Sequence, residues 1–128
     1  MSIESNQINL SAPATVDLSA KQFYAVDFDT TTAGSQLALA AAGNNADGIL
    51  QDKPVAGQAG NIAIFGVSKV AISASTTITA GQLLEVDTLG TLKGHSAGTV
   101  VAKALEPLTS TTQIAIISAL ILKSNASF

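Results

Sequence analysis

The sequence contains no cysteine, no tryptophan and no arginine, and it is poor in aromatic and charged residues. Without cysteine there is neither a disulfide framework nor a thiolate metal site, so any core must hold by packing alone. At 128 residues the chain has the length of one domain. A domain of that size buries roughly two-thirds of its unfolded surface and can fold without covalent staples. All six basic residues are lysines (Lys21, Lys53, Lys69, Lys93, Lys103 and Lys123), outnumbered by nine carboxylates for a net charge of −3. Nucleic-acid binding calls for a clustered basic face, usually with arginine to grip phosphates and guanine edges. Nucleic acid is therefore not an expected partner.

The other shortages narrow the reading further. Only Phe23, Tyr24, Phe28, Phe65 and Phe128 are aromatic, which leaves little on which a sugar ring could stack. The core is expected to be thin and aliphatic, built from Ala, Val, Ile and Leu. The longest apolar stretch, Ile114 to Leu122, is nine residues long, against the roughly twenty that a membrane helix needs. The opening Met1-Ser2-Ile3-Glu4-Ser5-Asn6 lacks the basic-then-apolar order of a secretory leader. No membrane partner is expected, and synthesis in a cytoplasm is. Charged residues make up 12% of the chain, about half of the roughly 25% usual in soluble domains. A surface of Ala, Ser and Thr with few charges can be covered by a partner at little ionic desolvation cost. That composition points to extensive interfaces.

What is present reads as short strands between turns. Tyr24, Val26 and Phe28 share one face of an extended segment ending at Asp29. Thr30 to Ser35 reads as a loop, and Leu37 to Ala42 as a strand. Asn44 to Gly48 is a turn signal, and Ile49-Leu50-Gln51 is a strand stopped by Pro54. Asn61 to Phe65 and Val67 to Ile72 are apolar stretches split by Gly66, and an isolated glycine in a strand often marks a bulge or a barrel corner. Leu83 to Val86, a short strand from Leu92, Val100 to Leu105 and Ile114 to Leu122 follow. Asp87-Thr88-Leu89-Gly90 has the ends favoured by a type I turn. With no amphipathic helix in the pattern, the fold expected is an all-β, single-domain small barrel or sandwich. Residues 20–122 form that domain. Residues 1–19 read as an extended N-terminal arm, because Ile8/Leu10 and Val16/Leu18 alternate without bulk for a core, and residues 123–128 read as a polar tail.

The chemistry-bearing residues do not assemble into a reactive set. His95, the only histidine, sits in the glycine-flanked stretch Lys93-Gly94-His95-Ser96-Ala97-Gly98 and reads as an exposed loop side chain. One histidine without cysteine cannot complete a usual zinc site. Asp27 and Asp29 lie two apart on one strand face, the superficial look of a carboxylate pair, but their place before a Thr-rich loop suits turn capping. Asp47 and Asp87 have turn roles of their own. Gly57-Gln58-Ala59-Gly60 is neither a P-loop nor a dinucleotide fingerprint. Asn125-Ala126-Ser127 is a sequon that matters only in a secreted chain. The expectation is a non-enzymatic protein with no catalytic residue, no cofactor, no bound metal and no small-molecule substrate.

Between residues 20 and 122 the chain resembles the capsid decoration, or cement, proteins of tailed bacteriophages. The resemblance is carried by an ordered series. Gly48-Ile49-Leu50-Gln51-Asp52-Lys53-Pro54 comes first, then Gly57-Gln58-Ala59 leading into Ile62 to Val70. Ile78-Thr79-Ala80-Gly81-Gln82-Leu83-Leu84 and Val86-Asp87-Thr88-Leu89-Gly90 follow, then Val100 to Glu106 and the closing strand Ile114 to Ile117. Two positions depart from the family pattern: Gln82 stands where an acidic residue is expected, and Lys103 where glycine is frequent. The resemblance implies a homotrimer on the outer surface of the capsid in the virion, at three-fold or quasi-three-fold positions, bridging capsomers of the major capsid protein. Under it, Ile3, Ile8 and Leu10 would anchor the arm to the capsid protein or a neighbouring copy, lending a strand to a sheet edge. Phe128 would dock on a neighbour or fray. The alternative from another class is a small β-barrel sugar- or receptor-binding module of a phage surface structure.

Overall fold

The computed structural model describes residues 7–29, 36–110 and 112–122. Among them are nine strands and no helix: β1 (Ile8–Pro13), β2 (Ala25–Asp29), β3 (Gln36–Leu39), β4 (Gly48–Leu50), β5 (Ala59–Ile72), β6 (Leu83–Val86), β7 (Leu92–Gly94), β8 (Val100–Ala104) and β9 (Ala115–Ile121). The all-β expectation holds; the two apolar stretches split by Gly66 run on as the single strand β5, and β1 lies within the residues read as an arm.

The 14-residue β5 organises the molecule because it serves two cores in turn. Its first half runs antiparallel between β1 and β4, so that Leu10 and Leu50 both face Ile62 across the sheet. The sheet continues through β2 to β3. β3 then returns to the residues after β1 through the Ala14/Leu37 bridge, where Thr15 N donates to Leu37 O at 2.9 Å. The second half of β5 pairs with β9 instead, from Gly66 opposite Ile121 to Ile72 opposite Ala115. β9 pairs with β8, β8 with β6 and β6 with β7, and β7 comes back parallel to β5 at Ile72/Leu92. Those five strands close a small barrel. Gly66, expected as a barrel corner, is the residue at which β5 changes partners, and its φ of 103° is one that only glycine adopts freely.

Even-numbered residues of β5 point inward in both lobes. Ile62 joins Ala14, Leu18, Val26, Leu37 and Leu50 in one core, while Val70 and Ile72 join Leu84, Val86, Leu92, Ile117 and Ile121 in the barrel. Burial of each large aliphatic side chain contributes about 1.5–3 kcal/mol. The barrel is narrow enough to need small residues where β8 meets β9, and Ala104 stands directly opposite Ala119 there.

Two local expectations require correction. Residues 8–13 are extended, but they do not form a free arm. They lie along β5, and the segment that follows buries Ala14 and Leu18 completely. The sequence hid this because the inward positions of β1 carry small or half-covered residues, whose bulk is supplied by β5. The turn after β6 is also displaced. Thr91 N donates to Thr88 O at 3.3 Å, and the two central residues, Leu89 and Gly90, have φ of 49° and 87°. That is the mirror-image hairpin turn, whose twist matches paired strands, rather than a type I turn over 87–90. Ile3, residues 30–35 and Phe128 lie outside the described residues.

Candidate functional site

The groups that could carry chemistry are spread over separate surfaces. His95 is exposed in the loop after β7, with Nε2 2.8 Å from Gly98 O. Asp27 accepts a bond through Oδ1 from Asp47 N at 3.2 Å, and Asp47 Oδ2 accepts from Phe28 N at 2.8 Å. Asp27 and Asp47 thereby tie the turn before β4 to β2, a turn role such as was expected of Asp47. Among the described residues no group of three or more His, Asp or Glu side chains is arranged to hold a metal ion.

An open recess of about 390 Å³ lies at the junction of the two lobes, lined by Lys21, Tyr24, Ser73, Asp87, Leu89 and Ile114 among others. Ser73 Oγ donates to Asp87 Oδ2 at 2.6 Å and lies 2.7 Å from Thr91 Oγ1. The cluster ties the end of β5 to the turn after β6. It joins a serine, a carboxylate and a threonine in one hydrogen-bonded group. Lys21 Nζ sits 5.0 Å from the Tyr24 ring centroid, and Leu89 and Ile114 stand exposed at the rim.

Glu85 drew no attention in the sequence, yet it is the one carboxylate among the described residues that is nearly enclosed, at 4% exposure. Its neighbours in β6, Leu84 and Val86, face the barrel interior, so Glu85 faces outward beneath the 95–99 loop. Oε1 accepts from Ser96 N at 2.6 Å and from Gly98 N at 3.0 Å, and Lys93 Nζ lies 3.9 Å from Oε2. The Ser96 amide, helped by Gly98, Lys93 and His95, holds the carboxyl below its ordinary range, against burial, which raises it. A single acid within the otherwise apolar Leu83-Leu84-Glu85-Val86 was the signal for this role. The arrangement anchors a loop.

The remaining candidate surface is apolar. Ile8 and Phe65 are register partners on β1 and β5 and are 56% and 59% exposed, and Leu10 nearby is 44% exposed. Of the residues singled out for partner contact, the structure therefore places Ile8 and Leu10 on one strand beside Phe65, which sequence reasoning did not include. Phe65 was readable as an odd-numbered, outward position of β5.

No family model matches the sequence, and no curated protein matches it. Among solved structures, the fold is similar to the N base of the head fiber gp8.5 in bacteriophage phi29. The TM-score is 0.69 with 15% identity, over 93% of this chain and 97% of that one. At that identity the likeness is one of fold.

Proposed function

We propose that this chain is a structural protein of a bacteriophage virion that decorates and stabilises the capsid from outside, bridging capsomers of the major capsid protein, as a homotrimer. The observation that carries the reading is the match of fold over nearly the whole of both chains to a protein described as the base of a phage head fiber. The charge-poor surface and the exposed Ile8/Phe65 pair fit the same role, since large apolar side chains left in water are characteristic of surfaces awaiting a partner. The chain performs no catalysis and needs no cofactor under this reading. Weak contacts repeated around a shell gain strength from effective concentration, so each copy needs only modest affinity.

The fold changes how Ile8 and Leu10 would act. β1 already pairs with β5 along one edge, so these residues act from a strand fixed in the sheet and offer their exposed side chains to a partner. Incubating the purified protein with expanded phage heads and sedimenting the heads tests the reading. Co-sedimentation that saturates at a fixed number of copies per shell is expected, and light scattering of the free protein is expected to give three chains. Binding that depends on a glycan and not on heads would instead favour the sugar- or receptor-binding module.

A further inference from the structure

The loop of residues 95–99, between β7 and β8, is fastened to the body through its backbone amides. His95 N donates to Leu83 O at 2.9 Å at one end, and Thr99 N donates to Gly43 O at 3.0 Å at the other. Between them, Ser96 N and Gly98 N converge on one oxygen, Glu85 Oε1, at 2.6 and 3.0 Å. Backbone amides of a turn aimed at a single point form a concavity that holds an anion, and here the anion is a side chain of the same chain. The middle of the loop therefore hangs on a titratable group, whereas both ends hang on carbonyls.

The fit around Gly98 leaves no slack. A Cβ built on it would lie 2.7 Å from Gly43 Cα and 2.8 Å from Glu85 Oε2, so the loop is wedged between the turn after β3 and the carboxylate. Gly43 N in turn donates to Val86 O at 2.9 Å. The loop thus sits in a joint between the first lobe and the barrel, and Glu85 closes that joint from the barrel side. The titratable groups around the carboxylate all favour its ionised form. They are Lys93, its register partner on β7 at 3.9 Å, His95 at the head of the loop, and Lys103 on β8, opposite Leu83 on the same outer face. Residues 41–46 bring no titratable side chain to the joint. Asp87, two residues on from Glu85, is held by Ser73 Oγ at 2.6 Å.

We infer that the 95–99 loop is an acid-released latch: the ionised Glu85 carboxylate holds it against Gly43 and keeps the joint between the lobes closed, and protonation of Glu85 lets the loop lift while both cores stay packed. A neutral carboxyl is a weaker acceptor for the two amides and loses the attraction of Lys93. Its added proton also needs an acceptor of its own. The latch is closed above the ordinary carboxylate range and opens as the pH falls through the lowered Glu85 value. The opening is local, because the bonds of β5 to β9 and of β6 to β8 involve no titratable group.

Amide hydrogen exchange of the full chain, followed by NMR and expressed as protection over the unstructured rate at each pH, tests the latch. The Ser96 and Gly98 amides are expected to lose protection about ten-fold as Glu85 titrates, with the Glu85 carboxyl carbon shift marking the titration. Leu50 and Ala104, whose amides are bonded within the first lobe and the barrel, should keep theirs. Glu85→Gln should show the opened loop already at neutral pH, with no further change in acid. Gly98→Ala, which forces a Cβ into the gap between Gly43 and Glu85, should loosen the loop at neutral pH with the charge intact. His95→Asn should retain the wild-type pH dependence. Ser96 and Gly98 amides as protected in Glu85→Gln as in wild type overturn the latch. So does loss of protection at Leu50 and Ala104 together with the loop, since Glu85 would then support the whole fold. A pH dependence that vanishes in His95→Asn overturns it as well.

Discussion

At the scale of the residue, Glu85 and Leu89 show what this chain spends its few unusual positions on. Glu85 takes a carboxylate out of water and returns it to two donors, the Ser96 and Gly98 amides, with the Lys93 ammonium 3.9 Å away as an ion-pair partner. Because its folded-state pKa lies below that of an unfolded glutamate, the stabilisation is fully present above the ordinary carboxylate range. It is lost as the pH falls through the depressed value. Glu85→Gln, which keeps the shape and removes the charge, should lower stability by about 1 kcal/mol at neutral pH. The gap to wild type should close in acid, where both side chains are neutral. Urea titrations at a series of pH values measure it, and a gap that widens in acid would contradict the assignment. Leu89 is the converse case, an exposed leucine at φ 49° in the turn after β6. Asparagine tolerates that conformation far better than leucine. Leu89→Asn is therefore expected to raise the denaturation midpoint by an amount corresponding to about 0.5–1 kcal/mol. A midpoint at or below that of wild type would mean that the side chain repays its strain through contacts at the recess rim.

At the scale of the element, β5 is the strand to perturb. Gly66 holds a φ of 103° where β1 and β4 give way to β9, and no side-chain-bearing residue adopts that angle without cost. Gly66→Ala should destabilise the protein by about 1–3 kcal/mol, seen as a lower urea midpoint at unchanged slope. An unaltered midpoint would mean that β5 can relax its corner. This glycine was legible in the sequence because it interrupts two apolar stretches with alternating inward residues. So were Tyr24, Val26 and the strands at 49–50, 83–86, 100–104 and 115–121, each set off by turn residues that are themselves local signals. The β1 pairing was not legible. Its inward positions are small or only half-covered, and the alternation of Ile8 and Leu10 describes a strand without saying that β5 lies beside it. The outer row of the barrel was hidden for a related reason. Leu83, Lys103, Leu120 and Val67 become neighbours only through three separate registers, and register is a tertiary property. The absence of a clustered catalytic set was easier to read, since a chain with one histidine and no cysteine offers few combinations.

At the scale of the whole molecule, the two cores are joined by more than a shared strand. Ala25 N donates to Gly90 O at 2.8 Å, Ala71 N to Phe23 O at 3.0 Å and Thr99 N to Gly43 O at 3.0 Å, each bond crossing from one lobe to the other. Melting either lobe would strip half of β5 of its partners and expose buried backbone groups at the junction, a cost that makes partial unfolding unfavourable. The lobes should therefore unfold as one unit. Leu37 lies in the first core and Leu92 in the barrel, both fully buried. Truncation of either to alanine should cost about 2–5 kcal/mol. In each variant, far-UV circular dichroism and the fluorescence of Tyr24, the only tyrosine in a chain without tryptophan, should report one coincident transition. Tyr24 is suited to this because it sits buried at the junction, where loss of either lobe changes its surroundings. If Leu37→Ala instead gives an early loss of part of the strand signal, with a second transition left at the wild-type midpoint, the barrel folds without the first lobe. The long strand would then be a tether between two independent units rather than the spine of one.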